Sequence, residues 1–161
     1  MKHTISVLVE NKFGVLSRVA GLFSGRGYNI ESLCVAPTMD PSTSIMTIVT
    51  IGDDRVIEQV TKQLNKLIDV IKVSDVTERD CIDREMMLVR VSAEREKRDE
   101  ILRIAEIFKS RVVDVAMKSI TLEVTGTDDK IDSVLRLLRP LGIRELVRTG
   151  KVAMLRAEPR K

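Results

Sequence analysis

The chain has 161 residues, of which 43% are apolar and 32% charged, and its formal net charge is +3; that is enough apolar material for one mid-sized core or two small ones. No run approaches the roughly 18 apolar residues of a membrane-spanning helix, and the first residues lack the basic-then-apolar pattern of a secretory leader, so the expected protein is soluble, off the membrane and cytoplasmic. Only Phe13, Phe23, Tyr28 and Phe108 are aromatic, which leaves base stacking little to work with.

His3 to Val9 alternates with the period of a half-buried strand. A turn follows at Glu10 to Gly14. Val15, Leu16, Val19, Ala20, Leu22 and Phe23 then recur at helical spacing until Gly25 and Gly27 stop the helix. The start of such a helix presents unpaired backbone N–H groups and a positive dipole end, both suited to a carboxylate. Asn11 adds a side chain that donates and accepts, and Gly14 permits positive φ or a close approach of ligand to backbone. On spacing alone an ordinary β-to-α turn is the commoner use of such residues, and a small-ligand site is the other. Asn29 to Val35 and Ser44 to Ile51 read as strands joined by the turn-rich Pro37 to Ser42. Asp53 or Asp54 caps a helix with Val56, Ile57, Val60, Leu64 and Leu67 on one face, and Val70 to Val76 is a further strand. The order βαββαβ predicts a ferredoxin-like unit, an antiparallel four-stranded sheet with two helices on one face.

Glu78 to Asp83 is polar and without periodicity and reads as a linker, after which the same order begins again. Glu85 to Val91 is a strand. Ser92 caps a helix that turns Ile101, Leu102, Ala105 and Phe108 inward, with Glu94/Arg98 and Asp99/Arg103 paired on its wet side. Val112 to Met117 and Ile120 to Thr125 are strands. Thr127 caps a helix carrying Ile131, Val134, Leu135 and Leu138, which Pro140 stops. Gly142 to Val147 and Val152 to Leu155 are the last strands. The expected fold is α+β, two tandem ferredoxin-like βαββαβ units over 1–77 and 84–161 with a linker at 78–83.

No catalytic constellation assembles. His3 is the only histidine and is expected at the surface of a frayed strand start; Cys34 and Cys81 stand alone, without disulfide or metal-ligand spacing; Gly25-Arg26-Gly27 is too short for a dinucleotide fingerprint. Binding rather than turnover is the expectation. Charge is uneven: residues 130–161 hold nine Lys or Arg, among them Arg136, Arg139, Arg144, Arg148, Lys151, Arg160 and Lys161, against Asp132, Glu145 and Glu158. That end is either a solvated basic face or a docking surface for an acidic partner, with Arg144 and Arg148 as candidate contacts.

Three stretches carry a resemblance. Glu10-Asn11, Gly14-Val15-Leu16, Arg18-Val19, Gly21-Leu22-Phe23 and Arg26-Gly27-Tyr28-Asn29-Ile30-Glu31-Ser32-Leu33 stand in the order and register of the N-terminal signature of the small, regulatory subunits of acetolactate synthase (acetohydroxyacid synthase), whose N-terminal half is an ACT domain. Phe108 to Val115, Glu123-Val124-Thr125-Gly126 and Gly142 to Gly150 resemble that family's C-terminal domain more loosely. Lys109 and Ser110 stand where the family more often has Arg and a small Gly or Ala, and Cys34 where it has Thr or another small residue.

The resemblance implies a homodimer in which Asn11, Gly14, Val15 and Leu16 of one chain face Asn29 and Ile30 of the partner subunit across an effector site. Valine or another branched-chain amino acid fits it: backbone N–H groups at Val15 and Leu16 meet its carboxylate, the side-chain oxygens of Asn11 and Asn29 its ammonium, and Val15, Leu16 and Ile30 enclose its side chain. Asn29 also has the plainer reading of a strand-start residue, and Gly21 and Gly25 that of packing glycines against the second copy. The same resemblance implies a non-catalytic regulatory subunit that activates the large catalytic subunit and confers feedback inhibition by valine. Thiamine diphosphate, FAD and magnesium are then expected on the large subunit, with no cofactor on this chain. The rival from another class is an amino-acid-responsive regulator of nucleic acid; it lacks a helix-turn-helix or other recognition element, so no nucleic-acid partner is expected.

Overall fold

The computed structural model describes residues 1–158; Arg160 and Lys161 of the basic end lie outside the described residues. The chain divides into two compact units, Met1–Ile82 together with the segment that starts at Lys151, and Asp83–Gly150.

The first unit runs β1 (Lys2–Glu10), α1 (Val15–Ser24), β2 (Ile30–Pro37), β3 (Thr43–Ile51), α2 (Asp54–Leu64) and β4 (Val70–Asp75). The sheet has the order β2-β3-β1-β4 with every pairing antiparallel, as expected of a ferredoxin-like unit. Alternation in β1 sends Ile5, Val7 and Val9 to one face, where they meet Met46 and Ile48 of β3, Val15, Val19 and Phe23 of α1, and Ile57, Val60 and Leu64 of α2. Asp53 caps α2, its carboxylate accepting the Val56 N–H at 2.8 Å. Gly27, at φ +72°, ends the turn after α1.

His3 is not at the surface. It is 3% exposed, because β1 does not fray: Met1 and Gly52 exchange hydrogen bonds at 3.1 Å, His3 pairs with Thr50, and its side chain falls on the same face as Ile5 and Val7.

The second unit runs β5 (Cys81–Ser92), α3 (Arg95–Ile107), β6 (Arg111–Val115), β7 (Ser119–Gly126), α4 (Asp128–Leu138), a 3₁₀ turn (Arg139–Leu141) and β8 (Ile143–Arg148), in the sheet order β6-β7-β5-β8. Met87, Val89 and Val91 of β5 pack with Leu122 and Val124 of β7 and with Ile101, Ile131, Val134 and Leu138 of the helices. Several local expectations differ from what forms. The polar stretch 78–83 is not wholly a linker, since Cys81, Ile82 and Asp83 already belong to β5, with which β9 (Val152–Leu155) pairs. The Arg156 N–H reaches the Asp80 carbonyl at 3.1 Å and its Nε the Asp80 carboxylate at 2.9 Å. The last strand, read as part of the second unit, joins that unit's sheet through β5, while in the division into compact units the segment from Lys151 groups with Met1–Ile82.

Ser92 is a strand residue and not the cap of α3; Glu94 stands at that position without a side-chain capping bond, and Ser92 Oγ accepts from Arg144 Nε at 2.8 Å. Ile104 takes the inward place expected for Leu102, which is exposed. Arg98 leaves Glu94 for the carbonyls of Ala93, Ala116 and Met117. Thr127 stands at the N-cap of α4 without a side-chain bond, and Pro140 lies within the 3₁₀ turn into which that helix tightens.

Candidate effector site

The turn between β1 and α1 is anchored on both flanks. Its backbone donates from Glu10 N–H to the Asp69 carbonyl at 2.8 Å and from Asn11 N–H to the Ser42 carbonyl at 2.7 Å, while Asn11 Nδ2 donates to the Pro41 carbonyl at 3.0 Å. With its amide nitrogen so engaged, Asn11 retains Oδ1 as an unspent acceptor at an exposed position. Gly14 then swings through φ +82° to open α1. Val15 N–H reaches back to the Lys12 carbonyl at 3.4 Å, whereas Leu16 and Ser17 have no backbone partner among the described residues and keep the free N–H groups of a helix start.

A cation stands over that start. Arg18, one helical turn beyond Gly14, pairs with Asp69 at 2.5 Å, and its Nη1 lies 3.2 Å from where a Cβ on Gly14 would be. Asp69 is buried, so the loop before β4 and the turn after β1 are tied by both its backbone and its carboxylate. Lys12 pairs with Glu10 at 2.6 Å, a hydrogen bond that raises the Lys12 ammonium above its ordinary value. Sequence reasoning passed over Arg18 and Asp69; the available signal was an arginine four residues after the glycine, where a helix places it over the same end.

The expected contacts do not come together within one chain. Val15 is 3% exposed and packs in the core, so its side chain is withdrawn from any ligand; Leu16, 45% exposed, remains at the surface. Asn29 donates from Nδ2 to Glu31 at 2.8 Å and accepts the Thr50 hydroxyl on its carbonyl at 2.6 Å. Ile30 pairs with Thr50 near one end of β3, while Asn11 is held by Ser42 at the other. Seven strand residues lie between Ser42 and Thr50, so those ends are roughly 27 Å apart at about 3.4 Å per residue.

At the basic end, Arg148 is already engaged. Its guanidinium grips the buried Glu85 carboxylate with two hydrogen bonds, 2.6 and 2.8 Å, and this contact above all raises it over its ordinary value, with Asp132 and Asp128 adding to the field. Arg144 donates from Nε to the Ser92 hydroxyl at 2.8 Å. Arg90 and Glu145 form a further pair on the same sheet.

Comparison with known proteins decides the family. A model described as an AHAS small subunit-like ACT domain matches residues 5–72, and one described as the small subunit of acetolactate synthase matches residues 84–157. The chain belongs to the acetolactate synthase small-subunit family. A probable small subunit of acetolactate synthase from Archaeoglobus fulgidus is 59% identical over 156 residues, covering 97% of this chain and 98% of that one. The isozyme 3 small subunit of Escherichia coli is 48% identical over 159 residues, covering 98% of each. The crystal structure of the acetolactate synthase small subunit from Thermotoga maritima superposes with a TM-score of 0.89 at 38% identity, over 98% of this chain and 99% of that one. In this chain the ACT model falls within the β1–β4 unit, where the Asn11–Leu16 turn lies, and the C-terminal model begins one residue after the boundary at Asp83.

Proposed function

We propose that this chain is the regulatory subunit of a cytoplasmic acetolactate synthase: as a homodimer it binds a large catalytic subunit, raises its activity, and transmits the binding of a branched-chain amino acid, valine first, as feedback inhibition. The observation that carries the two-copy site is the separation of its halves. Asn11 with the free N–H groups of α1 stands at one end of β3, and Asn29 with Ile30 at the other, so the two halves do not meet within one chain. β2 is an edge strand. Antiparallel pairing of two β2 edges brings the Asn29 end of one copy toward the Pro37 end of the other, which is the end where Asn11 is anchored. A valine carboxylate then meets the N–H of Leu16 and Ser17, its ammonium the Oδ1 of Asn11, and its side chain Leu16 and Ile30.

Regulation on this reading is a coupling free energy of about 1 to 3 kcal/mol between effector binding and the active state of the complex. Thiamine diphosphate, FAD and magnesium belong, on the same reading, to the large subunit. Calorimetry of the purified chain with valine, leucine and isoleucine, alongside its mass by light scattering, tests the proposal. One amino acid bound per half-dimer interface, with dimer at all working concentrations, is the expected result. A monomer, or a dimer that binds none of the three with or without the large subunit, overturns it.

A further inference from the structure

A second feature of the first unit has no place in that regulation. The only histidine of the chain, His3, lines an open cleft of about 670 Å³ between α2 and the edge of the sheet, with Asp54, Glu58, Asp75, Thr77 and Glu78 around it. Its Nε2 is buried and has no hydrogen-bond partner among the described residues. Polar atoms in that state are rare because each forgoes the hydrogen bond it had in water.

The surrounding network fits a proton on Nδ1. Thr77 has one hydroxyl hydrogen, and it goes to Asp75 Oδ1 at 2.5 Å; the same hydroxyl oxygen accepts the Thr4 N–H at 2.9 Å. Toward His3 Nδ1, at 3.5 Å, the hydroxyl can therefore only accept, so Nδ1 is the donor. In the neutral ring Nε2 is then a bare acceptor. Another acceptor, Asp54 Oδ1, lies 3.9 Å from it. Asp75 Oδ2 lies 3.8 Å from Nδ1. Lys62 is spent on Glu58 at 2.6 Å, which holds that carboxyl below its ordinary value, and the Met1 ammonium on the Gly52 carbonyl; Arg79 stands at the rim. Two acceptors facing each other across such a gap are complemented by a group with two or more hydrogens and a positive charge. No set of three His, Cys, Asp or Glu groups converges to hold a metal among the described residues.

The geometry points to a binding site for a small organic cation with a primary ammonium group, donating to His3 Nε2 and Asp54 Oδ1, with Asp75, Glu58 and Glu78 supplying the field. Access is from the side of Asp54, whose side chain is 93% exposed on the first turn of α2 and turns aside without disturbing the core. The site is separate from the Asn11–Leu16 turn and does not rest on that turn binding an effector.

A lone histidine makes the test direct. Imidazole ¹⁵N resonances of the full-length protein are followed at mildly alkaline pH and constant ionic strength while ethylammonium or 1,4-diaminobutane is added, with tetramethylammonium, which has no N–H to give, as the control. Saturable movement of Nε2 with the primary amines alone, weakened about tenfold or more in Asp54→Asn and absent by calorimetry in His3→Phe, is the expected result. Asp54→Asn keeps the fold, since the residue is exposed. Equal responses to tetramethylammonium, no saturable response, or a ring protonated on both nitrogens before any amine is added overturn the proposal; in the last case Asp54 and Asp75 already satisfy the ring.

Discussion

Gly14 is the residue on which the turn depends most. Its φ of +82° lies in the left-handed region, where a side chain costs about 1 kcal/mol, and a Cβ there would press on Arg18 Nη1 at 3.2 Å. The guanidinium can move aside, so Gly14→Ala is expected to fold and to lose about 1 kcal/mol in urea denaturation. Gly14→Asp adds a carboxylate beside Arg18 at the helix start, where the proposed effector carboxylate sits. It is expected to abolish valine binding in calorimetry while the thermal midpoint falls no further than in the alanine variant; retained valine binding would remove the effector from this turn. Arg148 responds differently. Reversing it places a second carboxylate against buried Glu85, and because the guanidinium is about a third exposed the loss is expected at about 2 kcal/mol rather than the 3 to 5 of a fully buried pair. A docking role at the basic end is therefore tested with Arg144→Glu, which among the described residues gives up a hydrogen bond to Ser92; an unchanged association rate with the large subunit at low salt returns that arginine to a solvated face.

Among the elements, the end of α3 stores a correctable strain. Lys109 sits at φ +50° and closes the helix with its N–H on the Glu106 carbonyl, while Ser110 N–H reaches Ala105 at 2.8 Å, the pattern in which glycine is the preferred residue. Lys109→Gly is expected to stabilise the second unit by about 0.5 to 1 kcal/mol, read as a higher denaturation midpoint. The β2–β3 turn has a charge-dependent lock. Asp40 accepts from the Ser42 hydroxyl at 2.7 Å and the Ser42 N–H at 2.9 Å, which holds its carboxyl below the ordinary value, and Ser42 in turn holds Asn11. Because the folded value is the lower one, this contribution is complete above the usual carboxylate range and is lost only as the pH falls through the depressed value. The turn is therefore expected to stay closed at neutral pH and to loosen in acid. Ser42→Ala should move the Asp40 titration, followed by NMR, back up toward the ordinary value; no movement would mean the lock is not formed in solution.

At the scale of the whole molecule, the division of the chain is not the division of its sequence into halves. A chain ending at Ile82 has the complete β1–β4 sheet and its core, and is expected to fold. It lacks the segment from Lys151 that groups with this unit, including the Arg156 contacts to Asp80. Its thermal midpoint by circular dichroism is therefore expected below that of the same unit in the full chain, and an equal midpoint would make the returning segment energetically idle.

Hydrophobic period with turn and cap signals determined the element order, since alternation in β1, β5 and β7 and the helical stripes of α2 and α4 are local properties of the chain that survive in the fold. The N-terminal signature likewise located the turn and its family. The rest was decided by partners distant in sequence. His3 is buried because Met1 and Gly52 pin the strand end; Cys81 to Asp83 extend because β9 pairs with β5; Arg148 is engaged because Glu85 lies beside it across the sheet. Arg18 joined the Asn11–Leu16 turn only when Asp69, 51 residues away, was folded against it. A single sequence records the chemistry of each side chain but not its neighbour, and burial, charge pairing and an orphaned nitrogen are all properties of neighbours.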